Sequence, residues 1–209
     1  SAIRRSLNRV LHLELETALY GANESANDDN PENPRFIRIT DMNDDGSLKS
    51  HTFKSLPPSV AEPYMLKDGD VLLARSGATV GKSFIYRDSH GAACFAGYLI
   101  KASLDKKTML PDFLYLYTNT HCYWEYIKGS QIQATIQNVS AEKYANMAIP
   151  LPPLEEQQEI VKKVYTATDR IKRLQEEVQQ SIKLLKEHRT ALISAAVTGK
   201  IDLRNKEVA

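Results

Sequence analysis

A row of apolar residues spaced seven apart dominates the C-terminal part of the chain. The row runs without a gap through Val164, Ile171, Val178, Leu185 and Leu192. A second row, which includes Leu174, lies three positions behind it. Heptads sustained this long predict a coiled-coil helix. We expect about 44 residues, roughly 65 Å at 1.5 Å per residue, ending near Gly199. Such a rod needs a partner helix to bury its apolar rows, and antiparallel self-pairing would place Val178 near a two-fold axis.

The sequence changes character at a proline-rich segment. Pro150, Pro152 and Pro153 fall within four positions, and proline is poorly suited to both helix interiors and sheet ladders. We therefore predict a rigid extended joint here. The predicted domains are residues 1–150, a globular domain, and residues 151–209, the joint and the long helix.

The first part alternates strand-like and helix-like segments, which predicts an α+β fold class: a mixed α/β globular domain followed by one long helix. An N-terminal helix is expected at 3–19, an irregular mobile loop at 21–33, and one helix of about 17 residues from Pro111. Four strands are predicted, at residues 36–40, 71–74, 83–87 and 95–100.

Composition is that of an ordinary globular protein, with 42% hydrophobic and 25% charged residues. The net charge of +1, from 27 basic and 26 acidic groups, does not indicate a strongly basic nucleic-acid binder. No apolar run approaches the roughly 20 residues of a membrane span, and no secretory leader is visible. Cys94 and Cys122 have no CxxC partner. We expect a cytoplasmic protein with two reduced thiols and no membrane association.

The sequence predicts no catalytic machinery. Residues 77–83, GATVGKS, resemble a phosphate-binding loop, but only three residues separate the glycines instead of four, and a strand rather than a helix is predicted to follow. A turn between two strands is the preferred interpretation, with nucleotide hydrolysis as a weak alternative. The five histidines show no paired spacing for zinc, so no metal site is expected.

Two polar stretches could contact nucleic acid. One is a turn with Arg75, Ser76, Thr79 and Lys82 next to glycines, whose small size lets a phosphate approach closely. The other follows the predicted helix and contains Gln131, Gln133 and Gln137. Amide side chains can pair with adenine edges. A solvated hairpin and a solvated edge strand remain open as alternatives for both stretches.

Five ordered blocks resemble the DNA specificity subunits of Type I restriction–modification systems. They are residues 34–41 (PRFIRITD), 69–82 (GDVLLARSGATVGK), 95–100 (FAGYLI), 149–157 (IPLPPLEEQ) and 195–201 (AAVTGKI). The resemblance covers about residues 34–203. It implies a target-recognition domain followed by a spacer helix, and thus half of a subunit that carries two of each.

The resemblance also implies a function without catalysis: recognition of a bipartite DNA target on behalf of an adenine-N6 methyltransferase complex. The implied partners are double-stranded DNA, methyltransferase subunits that hold S-adenosylmethionine, sometimes a restriction or translocase subunit, and a second half in an antiparallel pair. The alternative is a coiled-coil adaptor between proteins, without DNA specificity.

Family members read different sequences, so the common blocks cannot supply all of the base reading. The resemblance therefore favours a scaffold or phosphate-contact role for the turn at residues 75–82. Base reading is then expected in the idiosyncratic stretches 49–54, with Lys49 and Lys54, and 87–91, with Arg87.

Overall fold

The computed structural model describes residues 10–12, 19–25, 27–43, 46–131 and 138–201. The chain forms two compact units, Ser1–Val161 and Lys162–Ala209. The first is globular and mixed α/β, and the second consists of most of one long helix. The predicted fold class is confirmed.

A four-stranded antiparallel sheet forms the centre of the globular unit. Its order is β2 (Leu19–Tyr20), β7 (Leu99–Ala102), β4 (Val71–Ala74) and β5 (Ser83–Ile85). All four residues of β4 are fully buried, as expected for a central strand with apolar side chains on both faces. The strands predicted at 71–74 and 83–87 are confirmed, the second in a shorter form.

Two strand pairs flank this sheet. β1 (Val10–His12) pairs antiparallel with β8 (Ala148–Pro150), and β3 (Arg35–Ile37) pairs in parallel with β6 (Ala93–Phe95). Two predictions are therefore wrong. In the described part of the helix expected at 3–19, Val10–His12 and Leu19–Tyr20 are strands instead, since strand pairing outweighs local helix propensity, and residues 3–9 and 13–18 lie outside the described residues. The single strand expected at 95–100 is two strands, β6 and β7, in different sheets.

The segment from 21 to 33 is irregular in its described residues, as predicted, but its N-terminal end is held in place. The Ala22 amide donates to the Phe95 carbonyl at 2.9 Å. A Cβ atom on Gly21 would lie 2.2 Å from that same carbonyl oxygen. Only glycine allows the two backbones to approach this closely.

Among its described residues, the globular unit also has four short α-helices: α1 (Pro58–Ala61), α2 (Pro111–Tyr117), α3 (His121–Gln131) and α4 (Ala141–Ala145). The 17-residue helix predicted from Pro111 is wrong, because α2 and α3 are separate. Between them the Thr118 and Thr120 hydroxyls donate to the carbonyls of Tyr115 and Tyr117. These short polar side chains compete with the backbone for its hydrogen bonds and end the first helix.

The long helix α5 spans Leu154–Val197, 44 residues, as the heptads predict. Gly199 follows with φ of +72°, and the Lys200 amide donates to the Ala195 carbonyl at 2.9 Å. This is the expected left-handed glycine cap. The sequence predicts that the proline-rich segment is a joint outside any sheet. Its first proline, Pro150, is instead the last residue of strand β8 and lies opposite Val10.

The first turn of α5 is fixed inside the globular unit by one buried side chain. Gln157 has no exposed surface. Its carboxamide accepts a hydrogen bond from the Leu110 amide at 2.9 Å and donates to the carbonyls of Thr108, at 3.1 Å, and Pro152, at 2.8 Å. It joins the start of α2, the proline-rich segment and the start of α5.

Candidate nucleic-acid interface

The turn from residue 75 to 82 connects the antiparallel strands β4 and β5. It contains two glycines with positive φ, Gly77 at +80° and Gly81 at +87°. The Gly81 amide donates to the Ala74 carbonyl at 2.9 Å, so the turn closes as a hairpin. No helix follows it. The predicted turn between two strands is confirmed.

Two buried tyrosines fix the base of this hairpin. The Tyr123 hydroxyl donates to the Gly81 carbonyl and the Tyr144 hydroxyl to the Ala74 carbonyl, both at 2.7 Å. Burial raises the pKa of both hydroxyls, so they remain neutral donors. α3 and α4, which carry these tyrosines, therefore hold the position of the hairpin.

Arg75 is held by an aromatic ring instead of a carboxylate. Its guanidinium carbon lies 4.5 Å from the centre of the Tyr20 ring, within the range of a cation–π interaction. Its Nε is buried and has no hydrogen-bond partner. No carboxylate of the described residues forms an ion pair with it. The positive charge is thus positioned by the ring, and none of the described carboxylates neutralises it.

The other polar residues of the hairpin lie around it. Ser76 forms an isolated antiparallel bridge with Asn138, whose buried Oδ1 is also without a hydrogen-bond partner. Thr79 is exposed. The Lys82 ammonium donates to the Met42 carbonyl at 3.3 Å.

The lysines predicted at 49 and 54 have protein partners. The Lys49 ammonium donates to the Thr40 carbonyl at 2.8 Å, next to the Met42 carbonyl that Lys82 contacts. The structure thus brings Lys49 and Lys82 to one segment, residues 40–42. The Lys54 ammonium lies 3.9 Å from the Asp29 carboxylate.

Arg87 is surrounded by acidic groups. Its guanidinium pairs with the Asp112 carboxylate at the start of α2 and lies 3.8 Å from the Asp68 carboxylate. Two nearby carboxylates offset its single charge, which makes it a weaker candidate for a phosphate contact than Arg75.

Of the predicted glutamines, Gln131 is the last residue of α3. Gln133 and Gln137 lie outside the described residues. The amide readout predicted for this stretch stays a prediction.

Two exposed tyrosines that sequence reasoning missed lie beside Arg75. Tyr20 is 43% exposed and Tyr98 is 65% exposed. The Arg75 amide donates to the Tyr98 carbonyl at 3.0 Å. We call Tyr20, Arg75 and Tyr98 the tyrosine–arginine patch. Tyr98 lies in the apolar stretch FAGYLI, which predicts a buried strand. Its exposure follows from the turn that the structure shows at Gly97 and Tyr98.

A cavity of about 460 Å³ adjoins the patch. Its floor includes the buried Ala22, Phe36 and Ala96, and Tyr98 forms part of its wall. The polar residues that line it include Asn23, Glu24, Arg38, Thr40 and Thr79. The cavity is large enough for a small planar group.

The second unit presents an apolar stripe. Six apolar residues of the two heptad rows are exposed, with fractions of 39% at Val164, 56% at Ile171, 50% at Leu174, 55% at Val178, 68% at Leu185 and 46% at Leu192. A single copy of the helix therefore leaves unburied the surface that a coiled coil would cover.

Neither a metal site nor a membrane span is found in the part of the chain that the structure describes. No group of three His, Cys, Asp or Glu side chains could hold a metal ion there. No described helix is both long and apolar enough to cross a membrane.

The chain is similar to proteins of known role. The "Type I restriction enzyme StySPI specificity subunit" of Salmonella potsdam is 26% identical over 151 residues, which cover 70% of this chain and 32% of that protein. The EcoKI specificity subunit of Escherichia coli (strain K12) is 26% identical over 145 residues, 68% of this chain and 31% of that protein. The chain thus spans about a third of the length of these curated relatives.

Solved structures show the same fold. The HsdS subunit from Thermoanaerobacter tengcongensis superposes with a TM-score of 0.65 at 19% identity, covering 96% of this chain and 51% of that one. A chain from a study of complex assembly and conformational transition in a type I R-M system gives a TM-score of 0.62 at 18% identity, with the same coverage.

The family model described as "Type I restriction modification DNA specificity domain" matches residues 16–184. This range includes most of the globular unit, with the hairpin and the tyrosine–arginine patch, and continues into the long helix. The chain therefore belongs to the Type I restriction–modification DNA specificity family.

Proposed function

We propose that this chain recognises one part of a bipartite DNA target and directs an adenine-N6 methyltransferase complex, and any restriction subunit bound to it, to that target. The observation that carries the proposal is the family match over residues 16–184, which includes most of the globular unit and continues into the long helix.

The proposed division of labour follows the proline-rich joint. Residues 1–150 act as the target-recognition domain, and residues 151–209 act as joint and spacer helix. The chain itself is non-catalytic in this account. S-adenosylmethionine binds to the partner methyltransferase, which does the chemistry, and the complex works in the cytoplasm.

The proposed assembly is an antiparallel pair of long helices, either from two copies of this chain or from this chain and another half subunit. The exposed apolar stripe supports pairing, because burial of such side chains is the main gain in coiled-coil formation. A helix of 44 residues is roughly 65 Å long, so two recognition domains at its ends would read half-sites separated by unread base pairs.

The near-neutral charge of the chain supports a role for its partners in DNA affinity. Non-specific affinity grows with the number of phosphates that are neutralised, and this chain has a net charge of only +1. We propose that the methyltransferase subunits supply much of the remaining phosphate contact.

Within the recognition domain, we propose that the hairpin residues Arg75, Ser76, Thr79 and Lys82 face DNA together with Lys49. Lys54, Arg87, Gln131, Gln133 and Gln137 complete the proposed DNA-binding set, with Arg87 ranked last because two carboxylates offset its charge. The coiled-coil adaptor is not favoured, since the family match includes the recognition unit and not the helix alone.

The proposal is tested by methylation of a DNA pool with random sequence. The partner methyltransferase is assayed with and without this chain, and methylated molecules are sequenced. We expect enrichment of a single motif with a fixed gap, only when the chain is present. Methylation that is unselective, or equally selective without the chain, would refute the proposal.

A further inference from the structure

We propose that Tyr98 is a specificity-determining residue, whose ring contacts bases of the DNA half-site while the neighbouring Arg75 contacts the phosphate backbone. This inference rests on the proposed function. It assigns base reading to a residue outside the polar stretches that the sequence singles out.

The turn that carries Tyr98 is fixed on both sides. The Gly97 amide donates to the Ala22 carbonyl at 2.8 Å, the Leu99 amide to the Ala96 carbonyl at 2.9 Å, and the Arg75 amide to the Tyr98 carbonyl at 3.0 Å. The backbone that carries the ring is therefore already ordered before DNA binds, so binding need order only the side chain.

Packing does not explain a tyrosine at this position. Its neighbours Phe95, Ala96, Leu99 and Ile100 are all at least 94% buried and account for the apolar stretch. Tyr98 is 65% exposed, and its ring forms no hydrogen bond or ring contact with any other described residue. The fold therefore leaves this ring available for contact with a ligand.

Arg75 supplies a positive charge close to the Tyr98 backbone. The other described arginines of the recognition unit are engaged differently: Arg38 and Arg87 pair with carboxylates, and Arg35 donates to the Lys49 carbonyl. Arg75 lies against the Tyr20 ring, and no carboxylate among the described residues pairs with it. A phosphate oxygen is the natural partner for such a guanidinium.

The cavity next to Tyr98 suits bases better than phosphates. Its floor is apolar, and its charged lining residues are Glu24 and Arg38, of which Arg38 is paired with the Asp41 carboxylate. A carboxylate repels phosphate but accepts hydrogen bonds from the exocyclic amino group of cytosine. Apolar surface favours thymine methyl groups and base faces. In this proposal Arg75 contacts the phosphate backbone of the DNA, and Tyr98 on the other side of the patch contacts the bases.

The test measures dissociation constants of the assembled methyltransferase complex. The duplexes are the motif that the wild-type complex methylates and the same duplex with base changes in one half-site. Variants are Tyr98→Ala, Tyr98→Phe and Arg75→Ala. The control is His121→Ala, which removes an exposed ring from α3, where the His121 side chain is 84% accessible.

We expect Tyr98→Ala to lower the ratio of specific to non-specific affinity by about 5- to 100-fold, the range of a single base-contacting side chain. Tyr98→Phe keeps the ring and should restore most of that ratio. Arg75→Ala should weaken binding to every duplex alike and reduce the salt dependence by about one phosphate contact. His121→Ala should change neither quantity.

Two results would overturn the inference. In the first, Tyr98→Ala keeps the wild-type affinity for every duplex and the wild-type melting temperature. In the second, Tyr98→Ala loses affinity equally for every duplex, so that the ratio of specific to non-specific affinity does not change. A wild-type complex that shows no sequence preference would instead refute the proposed function. The two failures are thus distinguishable.

Discussion

Removal of the Gln157 carboxamide should destabilise the recognition unit more than the loss of any neighbouring polar side chain of the long helix. Gln157 is fully buried and makes three hydrogen bonds, to the Leu110 amide and to the carbonyls of Thr108 and Pro152. In Gln157→Leu the side chain retains much of its volume, but all three backbone groups lose their partner.

The magnitude follows from those three contacts. A hydrogen bond contributes about 1 kcal/mol net, and a buried backbone group left unsatisfied costs about 1–3 kcal/mol. Partial hydration and the gain from a buried apolar side chain offset part of this loss. We therefore expect the free energy of unfolding to fall by about 2–4 kcal/mol.

Gln157→Glu provides a sharper test, because it replaces the amide donor by a carboxylate facing two carbonyls. Burial and this repulsion should raise the pKa of the new carboxyl in the folded state. Its protonated form can donate to one carbonyl, so the variant should gain stability relative to wild type as pH falls from 7 to 5.

The assay is urea unfolding followed by fluorescence of Trp124, the single tryptophan of the chain, which lies on α3 in the recognition unit. Its signal reports this unit and not the long helix. The control is Gln158→Leu, at an exposed position of the same helical turn. A loss below about 0.5 kcal/mol for Gln157→Leu, or an equal loss in the control, would refute the reasoning.

Three further predictions concern single residues elsewhere. Burial raises the pKa of the Cys94 thiol to about 12, so a thiol reagent at pH 8 should modify the exposed Cys122 alone until the protein unfolds; rapid labelling of both would contradict this. Burial lowers the pKa of His90 below its ordinary 6.5, so the free energy of unfolding should fall as the pH drops below about 6.5. His90→Phe should reduce this dependence of stability on pH, and an unchanged dependence would show that His90 is not its source. Val178→Asp should weaken self-association at least ~10-fold in sedimentation equilibrium, whereas Gln179→Asp should not. Equal effects of the two substitutions would show that the apolar stripe is not the surface through which the helices pair.

The long helix was predictable because its signal is local and repeated. Five heptads and a terminal glycine fix its length within one chain segment. Strand β4 was also predictable, since four consecutive apolar residues bounded by turns are typical of a central strand. Neither inference needs knowledge of distant residues.

The errors fall where distant residues decide the structure. Val10–His12 is a strand because it pairs with Ala148–Pro150 at the other end of the recognition unit. The stretch at 95–100 divides because β6 pairs with β3 while β7 pairs with β4 and β2. Tyr98 escaped notice because an aromatic residue within an apolar run is expected to be buried. The division of this run into β6 and β7 places Tyr98 in the turn between them, where it is exposed.

The central claim, that this chain selects the DNA sequence to be methylated, is tested most directly by mapping N6-methyladenine across the genome of the source cell with and without the gene. A second strain without the partner methyltransferase identifies the motifs that depend on the system. The account predicts that one split motif with a fixed gap loses methylation in both strains, and that a copy of the gene restores it. Retention of every methyltransferase-dependent motif after loss of this gene would contradict the account.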